Sequence, residues 1–222
     1  MQSAYNKTKE DSRRMANFLT KDCNIRETVS EAYFNFDEIN NEEKFDLQII
    51  KPAYYIGGFD LSETTDLTSA CALFELPDKV NTLFFKSMYW LPYDLLETRV
   101  EKDHIPYDVW YKQGFLRLSN GNKIDRKDVE DWFVELAHQY NMLPVGIGYD
   151  RWCAQEIVES MASTFGKNTM HEVKQYAKIL SNPLKMLRND FKSHNIVYNN
   201  NPITKWCLTN MAVKTDINGN IQ

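Results

Sequence analysis

Residues 54–76 read YYIGGFDLSETTDLTSACALFEL. An apolar run closes on the single acid Asp60, a turn dense in hydroxyls and acids follows, and the chain returns as a second apolar run. A carboxylate ending a core strand is costly unless something pairs with it, so Asp60 needs a partner or a polar turn around it. The pattern predicts strands over Tyr54–Leu61, Ser69–Leu76 and Thr82–Trp90. The links SETTDLT and PDKVN are short and rich in turn formers, so the three strands should form an antiparallel meander.

Further along, residues 92–114 contain a short helix around Tyr107–Lys112 that Gly114 ends, and Leu116–Leu118 reads as a minor strand. Asp125 sits at the N-cap of the amphipathic helix RKDVEDWFVELAHQYN. LPVGIGY, residues 143–149, is a short apolar strand, and RWCAQEIVESMASTF is the helix after it. A meander followed by helix–strand–helix units predicts an α/β fold: a mixed sheet with helices flanking it. Upstream, residues 1–50 read as an adaptor segment. It has a helix over KEDSRRMANFLTKDCNI, with Met15, Phe18 and Leu19 at helical spacing, and then a polar, acidic stretch. The expected division is therefore 1–50 adaptor and 51–222 domain.

With 222 residues the chain can bury one good-sized core. It has no apolar run of about 18 residues, so no membrane-spanning helix is expected, and its first residues lack the apolar stretch of a secretory signal. Cys23, Cys71, Cys153 and Cys207 form no C-x-x-C pair, which argues against a zinc ribbon or a disulfide framework. The four histidines (His104, His138, His171, His194) show no metal-ligand spacing. A net charge of -5 argues against an all-over basic coat for nucleic acid. It leaves room for a site that gathers carboxylates around divalent cations.

A second acid answers the first. In VGIGYDRW, residues 145–152, Asp150 also closes a short, glycine-containing apolar strand. In a ribonuclease H type of sheet the first meander strand lies parallel to the strand reached after the first helix, which would set Asp60 and Asp150 side by side. Neighbouring carboxylates repel, and one takes up a proton unless cations bind between them. Mg²⁺ or Mn²⁺ suits such oxygen ligands, and two ions can activate water and stabilise the leaving oxygen of a phosphodiester. Gly57, Gly58, Gly146 and Gly148 would permit close backbone approach. Glu63 and Asp66 could hold a metal-bound water or simply close the turn. The bland alternative stays open: a strand-end acid is often a turn residue, and Asp150 could cap the helix starting at Arg151.

Four segments then carry a family resemblance: GGFDLSETTDLTSACALF, IPYDVWYKQGFLRLSNGNKID, GYDRWCAQEIVESM and NPITKWCLTNMAVKTDINGNI. In this order, with FLTKDCNI ahead of them, they resemble the nuclease domain of the large terminase subunit of tailed bacteriophages and prophages. The resemblance implies a ribonuclease H-like endonuclease that cuts concatemeric double-stranded viral DNA with two Mg²⁺ or Mn²⁺ ions. It implies partners in a terminase ATPase domain, a small subunit and a portal protein, and a place in the cytoplasm of the bacterial host. It matches Asp60 and Asp150 to the first two metal-binding acids. The family's third acid usually lies on a C-terminal helix, and Asp216 in KTDINGN is a weaker candidate for it. The chain has no G-x-x-x-x-G-K-[ST] loop, so it is expected to be a nuclease fragment without the ATP-driven motor.

For DNA, NPLKMLRNDFKSHN puts Leu184, Leu187 and Phe191 on one helical face and Lys185, Arg188 and Lys192 on another. That basic face could follow a phosphate backbone or simply be solvated. Arg151 and Lys214 each neighbour a candidate acid. Trp152 and Trp206 read as core, and nothing suggests base-specific readout. Two rivals remain: a non-catalytic docking module, and an actin-like or sugar-kinase fold, which lacks support for want of a second Gly-rich phosphate loop.

Overall fold

The computed structural model describes residues 32–62, 67–151 and 155–221. The expected helix over 9–25, Glu63, Asp66 and Trp152 lie outside the described residues. Three strands, β1 (Tyr54–Asp60), β2 (Thr68–Phe74) and β3 (Leu83–Pro92), form the antiparallel meander. Strand ends fall within two residues of those expected. The third runs on through Leu91 and Pro92 because β4 (Leu116–Ser119) pairs alongside it there in parallel.

The parallel half completes the sheet. β5 (Leu143–Tyr149) lies parallel to β1, β6 (Met170–Glu172) parallel to β5, and β7 (Ile196–Val197) parallel to the start of β3. Among the described residues the order is β4-β3-β2-β1-β5-β6, with β7 off this path beside β3.

Alternation decides which face each strand buries. On β2, Thr68, Ala70, Ala72 and Phe74 are buried, while Ser69, Cys71 and Leu73 lie half-buried on the other face. The first face is covered by a long helix. Among the described residues the α-helices are α1 (Phe36–Ile39), α2 (Leu47–Ile50), α3 (Leu96–Asp103), α4 (Tyr107–Lys112), α5 (Arg126–Tyr140), α6 (Gln155–Phe165), α7 (Ala177–Lys192) and α8 (Pro202–Thr209). Asp125 caps α5 as expected, accepting from Lys127 N–H, and Asn141 ends it with a left-handed backbone at φ 55°. Val129, Trp132, Phe133 and Leu136 recur at i, i+3, i+4, i+7 and are buried. Each such side chain contributes about 1.5–3 kcal/mol by leaving water. Gly57 is what lets Phe133 in: a Cβ there would stand 3.0 Å from the Phe133 ring.

On the other face, α7, α8 and residues 33–39 pack over β3 and β7. Phe34, Ile39, Phe191, Ile196 and Tyr198 form one buried cluster there. The segment continues to Phe45 and Leu47, which join the core on the α5 side, with Phe45 edge-on to Phe74 and Phe84. Polar bonds fasten it along the way. Tyr198 OH donates to Ile39 O at 2.7 Å, Asn41 Nδ2 to Ile196 O at 2.9 Å, and Asn199 Nδ2 to Phe45 O at 2.9 Å. No helix among the described residues is long and apolar enough to cross a membrane.

Candidate active site

On β1, Tyr55 and Phe59 pack toward Phe133 of α5, so Tyr54, Ile56, Gly58 and Asp60 belong to the opposite face. Asp60 is the last residue of β1 and Asp150 follows the last residue of β5. The final pair of their parallel ladder is Phe59↔Tyr149, so the two acids leave the same end of adjacent strands. Both line one open cleft of about 420 Å³. Asp60 is exposed and Asp150 half-buried, and both are engaged in local interactions.

The floor of the cleft is made by glycines. Gly58 and Gly148 face each other in the ladder, and a Cβ at Gly58 would meet only Cys71 Sγ at 3.5 Å and Gly148 O at 3.8 Å. Cys71 lines the same floor, and burial pushes its thiol up to about 11, so it stays protonated at neutral pH. On the β3 side the wall is hydroxylic: Thr204 Oγ1 of α8 is 2.9 Å from Ser87 Oγ and 2.8 Å from Tyr89 OH. Burial raises the Tyr89 phenol, which therefore remains a neutral donor. Ser87 and Tyr89, which line the cleft with Thr204 behind them, and Gln175 on its far side had no signal in the sequence.

Asp216 lies elsewhere. Its Oδ1 accepts from Asn218 N–H and Asn220 N–H, both at 2.8 Å, and its Oδ2 accepts from Asn220 Nδ2 at 2.9 Å. These bonds, with Lys185 nearby, hold the carboxyl below its ordinary value. They close the turn inside the Thr215↔Ile221 bridge, and Asp216 does not line the cleft. Among the described residues no group of three His, Cys, Asp or Glu side chains is placed to hold a metal.

The basic face of α7 is occupied by the protein itself. Arg188 Nη2 and Lys192 Nζ lie 3.4 and 3.5 Å from Glu38 Oε1, and the Arg188 guanidinium sits 4.7 Å over the Tyr33 ring. Burial pushes Glu38 up, but the Asn35 N–H, Arg188 and Lys192 outweigh it and hold the carboxyl below its usual range. Lys185 donates to Gly219 O at 3.1 Å. The hydrophobic half of that helix is as expected, with Phe191 and Leu187 turned into the core. Arg151, exposed, directly follows Asp150 in the chain, and neither it nor the exposed Lys214 lines the cleft. Trp206 packs against Trp110, as a core residue would.

A meander whose first strand also runs parallel to the strand after the first long helix is a ribonuclease H-like sheet, here with an acid at the end of each central strand. The chain belongs to the family described as terminase large subunit, endonuclease domain, whose family model matches residues 1–222. It is 26% identical over 175 residues to the terminase large subunit of Enterobacteria phage HK97, covering 79% of this chain and 34% of that protein. It is also 26% identical over 218 residues to protein YmfN of Escherichia coli strain K12, covering 93% of this chain and 46% of the relative. The chain thus spans less than half the length of either curated relative. The crystal structure of the HK97 large terminase superposes with a TM-score of 0.69 at 24% identity, covering 79% of this chain and 36% of that one, a likeness of fold.

Proposed function

We propose that this chain is a metal-dependent DNA endonuclease domain that cuts concatemeric viral DNA for packaging, with Asp60 and Asp150 as its cation ligands. The observation that supports this most is the pairing of the two acids at one end of adjacent parallel strands, in an open, glycine-floored cleft. The donor set fits Mg²⁺ or Mn²⁺. Carboxylate oxygens are hard ligands, and Mg²⁺ is commonly held by one or two carboxylates with waters and substrate phosphates completing the shell. When bound, such ions lower the pKa of water and offset the charge of the phosphodiester. Arg151 adds a cation next to Asp150 in the chain, and the open floor at Gly58, where an added Cβ would meet only Cys71 Sγ and Gly148 O, leaves the backbone of a nucleic acid room to approach. Residues 51–222 are the nuclease domain and residues 1–50 its adaptor toward a terminase ATPase domain, with a small subunit and a portal protein as further partners. The working compartment is the cytoplasm of the bacterial host.

A second reading has one observation behind it: only two acids meet in the cleft among the described residues. It makes the chain a docking module of the packaging motor. Plasmid cleavage by the chain in Mn²⁺, Mg²⁺ or EDTA, beside Asp60→Asn and Asp150→Asn, separates the two. The nuclease reading expects Mn²⁺-dependent nicking lost in both variants. No cleavage by the wild-type chain favours the docking module, and cleavage unchanged in the variants removes the site assignment.

A further inference from the structure

β6 and the residues after it follow β5 in a regular alternation. His171 is paired with Gly148, and Val173 N–H donates to Tyr149 O at 2.8 Å, so the parallel ladder continues past Glu172. Alternate residues of an extended chain share a face. His171 and Val173 lie over the glycines of β5: a Cβ at Gly146 would stand 3.0 Å from the His171 ring, and one at Gly148 3.0 Å from Val173 Cγ2. The next residue in that alternation is Gln175, and the next position on β5 after Gly146 and Gly148 is Asp150. Gln175 is exposed and lines the same cleft as Asp60 and Asp150. The glycines thus let a close-lying strip bring one carboxamide into the cleft that the acid pair lines.

We propose that Gln175 is a positioning residue for the DNA phosphate, its Nε2 donating to a non-bridging phosphate oxygen. This rests on the nuclease reading above and names a contact within it. The residue type suits the place. A carboxylate there would repel phosphate, and a lysine would compete with cations for Asp60 and Asp150. A carboxamide is neutral and presents two N–H donors at any pH. Of the other polar groups lining the cleft, Cys71 is a thiol, Ser87 and Tyr89 bond to Thr204, and Ser69 sits across from Asp60 on β2, which leaves Gln175 as the carboxamide donor on the β6 side.

The test uses the whole chain and duplex DNA. Binding is measured by fluorescence anisotropy in Ca²⁺ and single-turnover cleavage in Mn²⁺, for wild type, Gln175→Ala, Gln175→Glu and Asp60→Asn. Losing a hydrogen bond to a charged group weakens binding about tenfold. Gln175→Ala is therefore expected to bind DNA about tenfold more weakly, with its half-saturating Mn²⁺ and melting temperature unchanged, and Gln175→Glu to bind more weakly still. A merely structural role would move the melting temperature instead. Gln175→Ala binding and cleaving as wild type does, while Asp60→Asn is inactive, overturns this inference alone. Tighter DNA binding by Gln175→Glu also overturns it, because residue 175 would then serve cations. If wild type neither binds nor cuts DNA, the nuclease reading falls and takes this contact with it.

Discussion

Gly57 and Gly58 are neighbours on β1 facing opposite sides of the sheet, and an alanine at each tests the register that puts Asp60 in the cleft. At Gly57 the added methyl meets Phe133 Cε1 at 3.0 Å, Ile147 Cγ1 at 3.1 Å and Tyr55 Cε2 at 3.2 Å. All three neighbours are buried, so none has space to retreat. Overpacking of this kind costs about 1–3 kcal/mol. Alanine also restricts the unfolded chain, which returns roughly 0.5–1 kcal/mol. The net expectation for Gly57→Ala is a loss of about 1–2 kcal/mol. At Gly58 the nearest atoms stand at 3.5 and 3.8 Å, ordinary contact distances, so only the favourable chain term remains. For a domain of this size about 1 kcal/mol moves the melting temperature by about 2–4 °C, so Gly57→Ala should melt about 3–6 °C lower. Gly58→Ala should melt at or slightly above wild type. Far-UV circular dichroism during heating reads both, with urea unfolding as a check. If Gly58→Ala were the damaging variant, the strand would be shifted by one residue and every side chain on it would change face. Asp60 would then point into the core, and the cleft would lose its acid.

Phe34 is 1% exposed and packs edge-on to Phe191, so Phe34→Ala should cost about 3–4 kcal/mol in urea unfolding. A loss below about 1 kcal/mol would mean that residues 32–50 detach without unfolding the domain. Because the Glu38 carboxyl is held below its unfolded value, its contribution is present above the unfolded pKa and is lost as pH falls through the folded one. Wild type should therefore exceed Glu38→Gln in stability at neutral pH and converge with it as pH falls through the lowered folded value, and parallel curves would dismiss the Arg188–Lys192 pairing as the cause. Asp216→Asn keeps an oxygen for the Asn218 and Asn220 N–H groups, so it should retain the Mn²⁺-dependent cleavage of wild type. A loss equal to that of Asp60→Asn would bring Asp216 into the metal site.

The meander and the strand-end acids were legible because local signals carry them: apolar runs, short turn-rich links, an Asp cap, and helical spacing on α5. Ridge and face were legible on α7 too, where Leu187 and Phe191 turn inward as their spacing requires. What covers the opposite face of that helix was not. Glu38, which holds Arg188, is 150 residues away in sequence, and no periodicity within a helix encodes so distant a partner. Gln175 was hidden for a related reason. Its place follows from the register of a three-residue strand against β5, and so short a strand leaves no alternation to read. For Asp216 the cue has two readings at short range: an acid followed by Asn218, Gly219 and Asn220 is also what a self-bonded turn needs, and here the turn uses both carboxylate oxygens.

The charge distribution ties these details to the substrate. The chain carries a net charge of -5, and three of the five cations with a claim on DNA are committed to Glu38 or to the carbonyl of Gly219. Around Asp60 and Asp150 the local field is therefore set by two acids, with Arg151 as the adjoining cation. A phosphodiester does not enter such a cleft favourably until divalent cations have reversed its sign. Cation binding and DNA binding then become linked, each strengthening the other by the same factor. With no Lys or Arg among the described residues that line the cleft, few condensed counterions would be released there, so the nuclease reading expects a shallow salt dependence. On the nuclease reading proposed above, such an acidic domain would hold DNA weakly except where bound cations and a neutral donor such as Gln175 converge on one phosphate. On that same reading, long residence on DNA would have to come from partners, and cutting would be confined to the moment when they present a strand to the cleft.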